Sequence, residues 1–154
     1  RFKERSGRPH ALLLAGKPGY GYPEIEERIS RSGWREMIRE VGYVSEEEKW
    51  RLLRGAEAFL FPSLYEGFGL PVIEAQQVGT PVITSNTSSL PEIAGEGASF
   101  VDPLSSVALA EAMEGLIQSS EKRADIIRKA FQNGQRFSWE KCVKDLVDVI
   151  FPAS

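Results

Sequence analysis

Short apolar runs that do not alternate with polar residues recur along this chain, and they constrain its fold more than any other feature. Ala11–Ala15 reads ALLLA, Ala58–Phe61 reads AFLF, Pro81–Thr84 reads PVIT and Ala98–Val101 reads ASFV, and Val41–Val44 reads as a further strand. A strand with one face in water alternates apolar with polar residues, whereas a strand covered on both faces by helices does not. Helical patterns separate these runs. Strand–helix alternation with links of roughly two to six residues gives right-handed βαβ units and a parallel sheet. The expected fold is α/β, a doubly wound parallel sheet, and one domain over residues 1–154. In such sheets ligands sit at the carboxyl ends of the strands. That rule directs attention to the loops after Ala15, Val44, Phe61, Thr84 and Val101.

The helices are expected at Pro23–Arg31, Glu46–Gly55, Pro71–Val78, Leu90–Ala94, across Leu109, Met113, Leu116 and Ile117, over Glu121–Gly134, and from Ser138 as an N-cap to Ile150. Gly79 stops the helix that begins at Pro71. Arg1–Gly7 reads as the end of a helix closed by a glycine cap. Ser88 or Ser89 is read as a cap for the helix at Leu90. Glu46–Glu48 is read as acidic complement to a helix dipole rather than as a catalytic cluster. His10 is expected on the surface. Cys142 shares helical spacing with Val143 and Leu146 and is expected to be core or lining. The three tryptophans are read as packing residues.

Composition excludes several function classes. Hydrophobic residues make up 42% and charged residues 27% of the chain, which suits a globular domain with a real core. The net charge of -3 provides no general basic face, so nucleic acid is not an expected partner. One cysteine and one histidine preclude an intrachain disulfide and a cysteine zinc site, and no metal is expected. No run approaches the ~20 apolar residues of a membrane span. No signal-peptide pattern opens the chain, and the expected location is cytoplasmic.

The chemistry is concentrated in Phe61–Pro81, FPSLYEGFGLPVIEAQQVGTP. A strand leads through Glu66-Gly67-Phe68-Gly69 into a helix with Pro71 near its first position, where proline is tolerated. Free N–H groups and the macrodipole make such a helix start an anion site. Gly67 and Gly69 let a ligand approach the backbone. Glu66, before the helix, and Glu74, one turn inside it, should face the same cleft. Carboxylates do not suit an anion, but they accept hydrogen bonds from sugar hydroxyls. A nucleotide-sugar carries both kinds of group.

Glu66-Gly67-Phe68-Gly69-Leu70-Pro71-Val72-Ile73-Glu74-Ala75 resembles the E-x7-E segment of the retaining GT-B glycosyltransferases of glycosyltransferase family 4, group 1. Gly79–Ser85, Leu90–Ile93, Val101–Pro103, Ala108–Ala110 and Phe137–Trp139 resemble the same family in the same order. The resemblance implies the Rossmann-like C-terminal half of a GT-B enzyme, which binds a GDP- or UDP-sugar donor without a bound metal or other cofactor. It implies that Glu66 assists the donor hexose as the catalytic carboxylate. Gly67, Phe68, Gly69 and Leu70 would meet sugar and diphosphate, and Glu74 the ribose. Val44, Glu46 and Lys49 would lie at the base. The loop carrying Gly16 and Lys17 reads equally as a plain turn or, as a strand-end loop, as nucleotide-proximal.

The family's domain opens with a strand and a loop whose arginine and lysine clamp the diphosphate, and no such loop precedes Leu12. The chain is therefore expected to be a fragment, inactive alone, of an enzyme whose N-terminal domain binds the acceptor. That acceptor would be a sugar, glycan or lipid-linked glycan, with peripheral membrane association of the full-length enzyme left open. GDP-mannose is the leading donor. Two other readings stay open, a non-catalytic nucleotide-binding or interaction module that keeps the fold and a related sugar-nucleotide epimerase.

Overall fold

In a computed structural model, residues 1–151 are described, and they form two compact units. The first unit spans Arg1–Leu52, and the second starts at Leu53. The first holds α1 (Phe2–Ser6), β1 (Leu12–Ala15), α2 (Tyr22–Ser30), β2 (Ile38–Gly42) and most of α3 (Glu46–Gly55). β1 and β2 pair in parallel, Leu12 opposite Ile38. Gly7 closes α1 in the left-handed conformation at φ 61°, as the sequence indicates. β2 begins three residues earlier than the apolar reading of Val41–Val44 because the charged Arg39 and Glu40 break the apolar run while still pairing with β1. There Glu40 accepts a hydrogen bond from the Tyr22 hydroxyl at 2.5 Å.

The second unit holds β3 (Phe59–Phe61), α4 (Leu70–Gln77), β4 (Val82–Ser85), α5 (Leu90–Ala94), β5 (Ala98–Val101), α6 (Ser106–Gln118), α7 (Ser120–Gly134) and α8 (Trp139–Ile150). Its strands run parallel in the order β3-β4-β5. All four residues of β4 are buried, and α4, α5 and α6 touch it. Ile83, Val101, Leu116 and Ile126 form a core cluster, joined by Leu60, Leu109 and Met113. Burying side chains of this size stabilises by about 1.5–3 kcal/mol each.

The strong definition of α4 comes from both of its ends. Val72, Ile73, Ala75 and Gln76 are buried. At its C-terminus the Thr80 N–H donates to Ala75 O at 3.0 Å and the Gly79 N–H to Gln76 O at 3.1 Å, with Gly79 at φ 79°. This is a Schellman closure, which needs the left-handed residue that glycine supplies. Gln76 is wholly buried, yet its amide is satisfied. Nε2 donates to Ala94 O at 2.8 Å and Gly97 O at 3.1 Å, and Oε1 accepts from Asn133 Nδ2 at 2.8 Å. Asn133 also donates to Ile93 O at 2.7 Å, and Arg136 Nη1 donates to Asn133 Oδ1 at 2.8 Å. Satisfied in this way, a buried amide specifies packing instead of destabilising it.

Three expectations about packing are corrected. Cys142 is exposed, and with it the apolar stripe of α8, including Val143 and Leu146. The helical spacing is real, but spacing reports a face and not what covers it. Trp139 is 77% exposed and so is not a packing residue among the described ones. His10 is half-buried with its ring edge-on to Phe2 at 5.9 Å, because the α1 turn folds back on the residues before β1.

Candidate functional site

The loop from β3 to α4 supplies a helix start with open donors. Gly69 is the N-cap residue at φ 104°, and Pro71 lies in the first turn. The backbone conformation at Gly69 demands glycine, and a Cβ added there would sit 2.8 Å from Leu90 Cδ2 and would have to displace that side chain. Within this unit, among the described residues, the N–H groups of Gly67, Phe68, Gly69 and Leu70 meet no protein acceptor. Unfilled N–H groups at a helix start carry the positive end of the macrodipole. Phe68 and Leu70 are 44% and 54% exposed, which leaves solvent access beside those donors. Glu66 and Glu74 are half-buried. Ser63 Oγ lies 2.9 Å from Glu66 Oε1 and donates to it, fixing one carboxylate oxygen and leaving the other side of the group available.

A row of hydroxyls from the end of β4 to the start of α5 holds this loop in place. Thr84 Oγ1 donates to Phe61 O at 2.9 Å, Ser85 Oγ to Ser63 O, and Thr87 Oγ1 to Leu64 O at 3.2 Å. Ser89 Oγ lies 2.9 Å from Glu66 O and 3.0 Å from Phe68 O. In a trans peptide the N–H points opposite to the C=O. Turning the carbonyls of Glu66 and Phe68 toward Ser89 therefore directs the N–H groups of Gly67 and Gly69 away from it. Ser89 does occupy the N-cap position of α5, but its side chain makes no capping bond. The capping expectation for Ser88 and Ser89 is corrected accordingly: their hydroxyls serve the loop 22 and 21 residues upstream. Only the density of Ser and Thr in Thr84–Ser89 hints at this in the sequence.

Of the expected site residues, Gly16, Lys17, Val44, Glu46 and Lys49 lie in the first unit, and Glu66–Leu70 with Glu74 lie in the second. In the first unit the Gly16 N–H donates to Gly42 O at 2.8 Å, and Lys17 Nζ lies 5.2 Å from the Tyr43 ring centroid. The Gly16-Lys17 turn is thus brought beside the loop that carries Val44, which is half-buried. Ser45 and Glu48 form a capping box: the Glu48 N–H donates to Ser45 Oγ at 3.3 Å, and the Ser45 N–H to Glu48 Oε2 at 2.8 Å. The N–H and hydroxyl of Ser45 hold the Glu48 carboxyl below its ordinary pKa. Glu46 and Lys49 pair with each other at 2.9 Å, and Lys49 also lies over the Trp50 ring. Among the described residues no group of three or more His, Cys, Asp or Glu is placed to hold a metal ion. No helix among them is long and apolar enough to cross a membrane.

Comparison with known proteins points in one direction. Residues 1–133 match the family described as glycosyl transferases group 1. The chain is 34% identical over 142 residues to the O-antigen chain mannosyltransferase B of Escherichia coli, covering 90% of this chain and 36% of that protein. It is 34% identical over 132 residues to the MMP alpha-(1->4)-mannosyltransferase of Mycolicibacterium hassiacum, covering 80% of this chain and 31% of that protein. The fold superimposes on Anabaena HepE, solved in complex with UDP and glucose, with a TM-score of 0.83 at 22% identity, over 93% of this chain and 40% of that one. Sucrose-phosphate synthase from Thermosynechococcus elongatus gives a TM-score of 0.81 at 28% identity, over 93% and 39%. The chain thus spans about a third of the length of the curated relatives it matches.

Proposed function

This chain belongs to the glycosyl transferases group 1 family, and from that membership we propose that it is the donor-holding half of a retaining hexosyltransferase. The observation that carries the reading is the start of α4. Four consecutive N–H groups, Gly67 to Leu70, meet no acceptor in their unit among the described residues, and the oriented carboxylate of Glu66 directly precedes them. Diphosphate oxygens of a GDP- or UDP-sugar fit those donors, and donors fixed in advance stabilise charge that develops on a leaving diphosphate without reorganising. Glu66 accepts from hexose hydroxyls and assists the reacting sugar electrostatically. Glu74, one turn on, takes the ribose hydroxyls. The donor phosphate serves as the base for the acceptor hydroxyl. Mannosyl transfer from GDP-mannose is the favoured chemistry, supported by the mannosyltransferases among the relatives. A UDP-sugar is the competing donor, supported by the UDP-bound structural neighbour.

Isothermal titration with GDP, UDP, GDP-mannose and UDP-glucose tests this. One nucleotide should bind saturably, and Glu74→Ala should weaken it by about tenfold or more, the worth of a hydrogen bond to a charged group. Absence of binding by all four would overturn the donor reading and favour a non-catalytic module.

A further inference from the structure

Ser88 is the one non-glycine residue with positive φ among the described residues, at φ 53°. It is exposed, so packing places no demand on its side chain. Glycine would take this conformation without strain, and serine takes it at a cost. What serine adds is an acceptor: Ser88 Oγ receives the Glu66 N–H at 3.1 Å. Glu66 is then held at three points by three serines. Its N–H is bound by Ser88, its carbonyl by Ser89 at 2.9 Å and its carboxylate by Ser63 at 2.9 Å. Ser63 Oγ also lies 3.2 Å from Tyr65 O, but its single proton is shared between that carbonyl and the Glu66 carboxylate, so Ser88 supplies the one full hydrogen bond to the peptide between Tyr65 and Glu66. Residues held in sparsely populated conformations tend to cluster where geometry serves function.

We propose that Ser88 is a positioning residue: its left-handed backbone brings Oγ to the Glu66 N–H and so fixes the direction in which the Glu66 carboxylate meets the donor sugar. The inference rests on the donor-site reading for its consequence but not for its geometry. It predicts a separation of function from stability. Replacing Ser88 by glycine removes the acceptor while leaving the left-handed turn at ease, so the fold survives and the alignment does not.

The test compares the full chain with Ser88→Gly and Ser88→Ala in three measurements: residue-resolved amide hydrogen exchange, thermal unfolding, and titration with GDP, UDP, GDP-mannose and UDP-glucose. In Ser88→Gly the Glu66 amide should exchange about tenfold faster or more, with the unfolding midpoint within about 2 °C of the unsubstituted chain. Sugar-nucleotide binding should weaken roughly three- to tenfold, while binding of the free nucleotide, which lacks the hexose, should be unchanged. Ser88→Ala, which lacks the acceptor but keeps the left-handed demand, should lose the same binding. Unchanged protection of the Glu66 amide in Ser88→Gly would overturn the proposal. So would equal loss of free-nucleotide and sugar-nucleotide binding, the result of a merely structural role. If the unsubstituted chain binds none of the four compounds, the donor reading fails, and exchange at Glu66 alone decides whether Ser88 restrains it.

Discussion

Two strands of similar apolar character meet opposite fates in the two units. β4 in the second unit is buried at every residue, with Val82 and Ile83 at 0% exposure. β1 in the first unit leaves Leu12 and Leu13 at 40% and 43% exposure. Within its own sheet β4 has two strand neighbours and β1 has one. An apolar run therefore marks a strand without fixing how much of it is covered. The number of neighbouring elements decides that, and with it the strand's share in stability.

Substitutions at matched positions sharpen this contrast. Ile83→Ala should lower stability by about 3–4 kcal/mol, the cost of a cavity in a core that cannot collapse. Leu13→Ala should cost less than about 1.5 kcal/mol, because transfer from a half-wet site recovers less. Denaturant unfolding measures both, and equal losses would break the comparison.

Glycines give the next largest difference. A Cβ on Gly97 would lie 2.5 Å from Ala130 Cα and 2.7 Å from Gln76 Nε2. Backbone cannot move aside as a flexible side chain can, so Gly97→Ala should destabilise by about 2–3 kcal/mol. Gly33 has open space around it and ordinary φ, and Gly33→Ala should stay within about 0.5 kcal/mol. Thermal unfolding of the two variants side by side checks this.

The first unit has its own local anchor in the Ser45–Glu48 capping box. Ser45→Ala should cost about 1 kcal/mol, read as lost stability of the α3 start in hydrogen exchange. The smallest effect is one of pH. The Glu48 carboxyl sits below its ordinary value of 4.5 because Ser45 donates to its charged form. Its contribution is therefore fully present above that value and is lost as pH falls through it toward the lowered folded-state value. Protection of the α3 start should weaken on acidification below about pH 4.5, and Glu48→Gln should flatten that dependence.

What the sequence discloses follows the range of the interactions involved. α3, α5 and β5 begin and end where their patterns indicate, because caps, glycines and prolines act within a few residues. The Glu66–Glu74 segment is legible for the same reason, since its glycines, proline and carboxylates are contiguous. β2 is displaced because charged Arg39 and Glu40 interrupt its pattern while still pairing with β1. The serine and threonine row is illegible in advance, because Thr84 to Ser89 reach carbonyls more than twenty residues away and no local periodicity encodes that reach. The buried Gln76–Asn133 pair, 57 residues apart, is hidden in the same way.

The central claim is that the N–H groups at the start of α4 receive the diphosphate of a sugar nucleotide. Amide chemical-shift mapping of the isotopically labelled chain, titrated with GDP-mannose and UDP-glucose, addresses it at the atoms concerned. One of these donors should shift the amides of Gly67, Phe68, Gly69 and Leu70 saturably and first among those of the second unit. Saturable binding that leaves those four amides unmoved would contradict it.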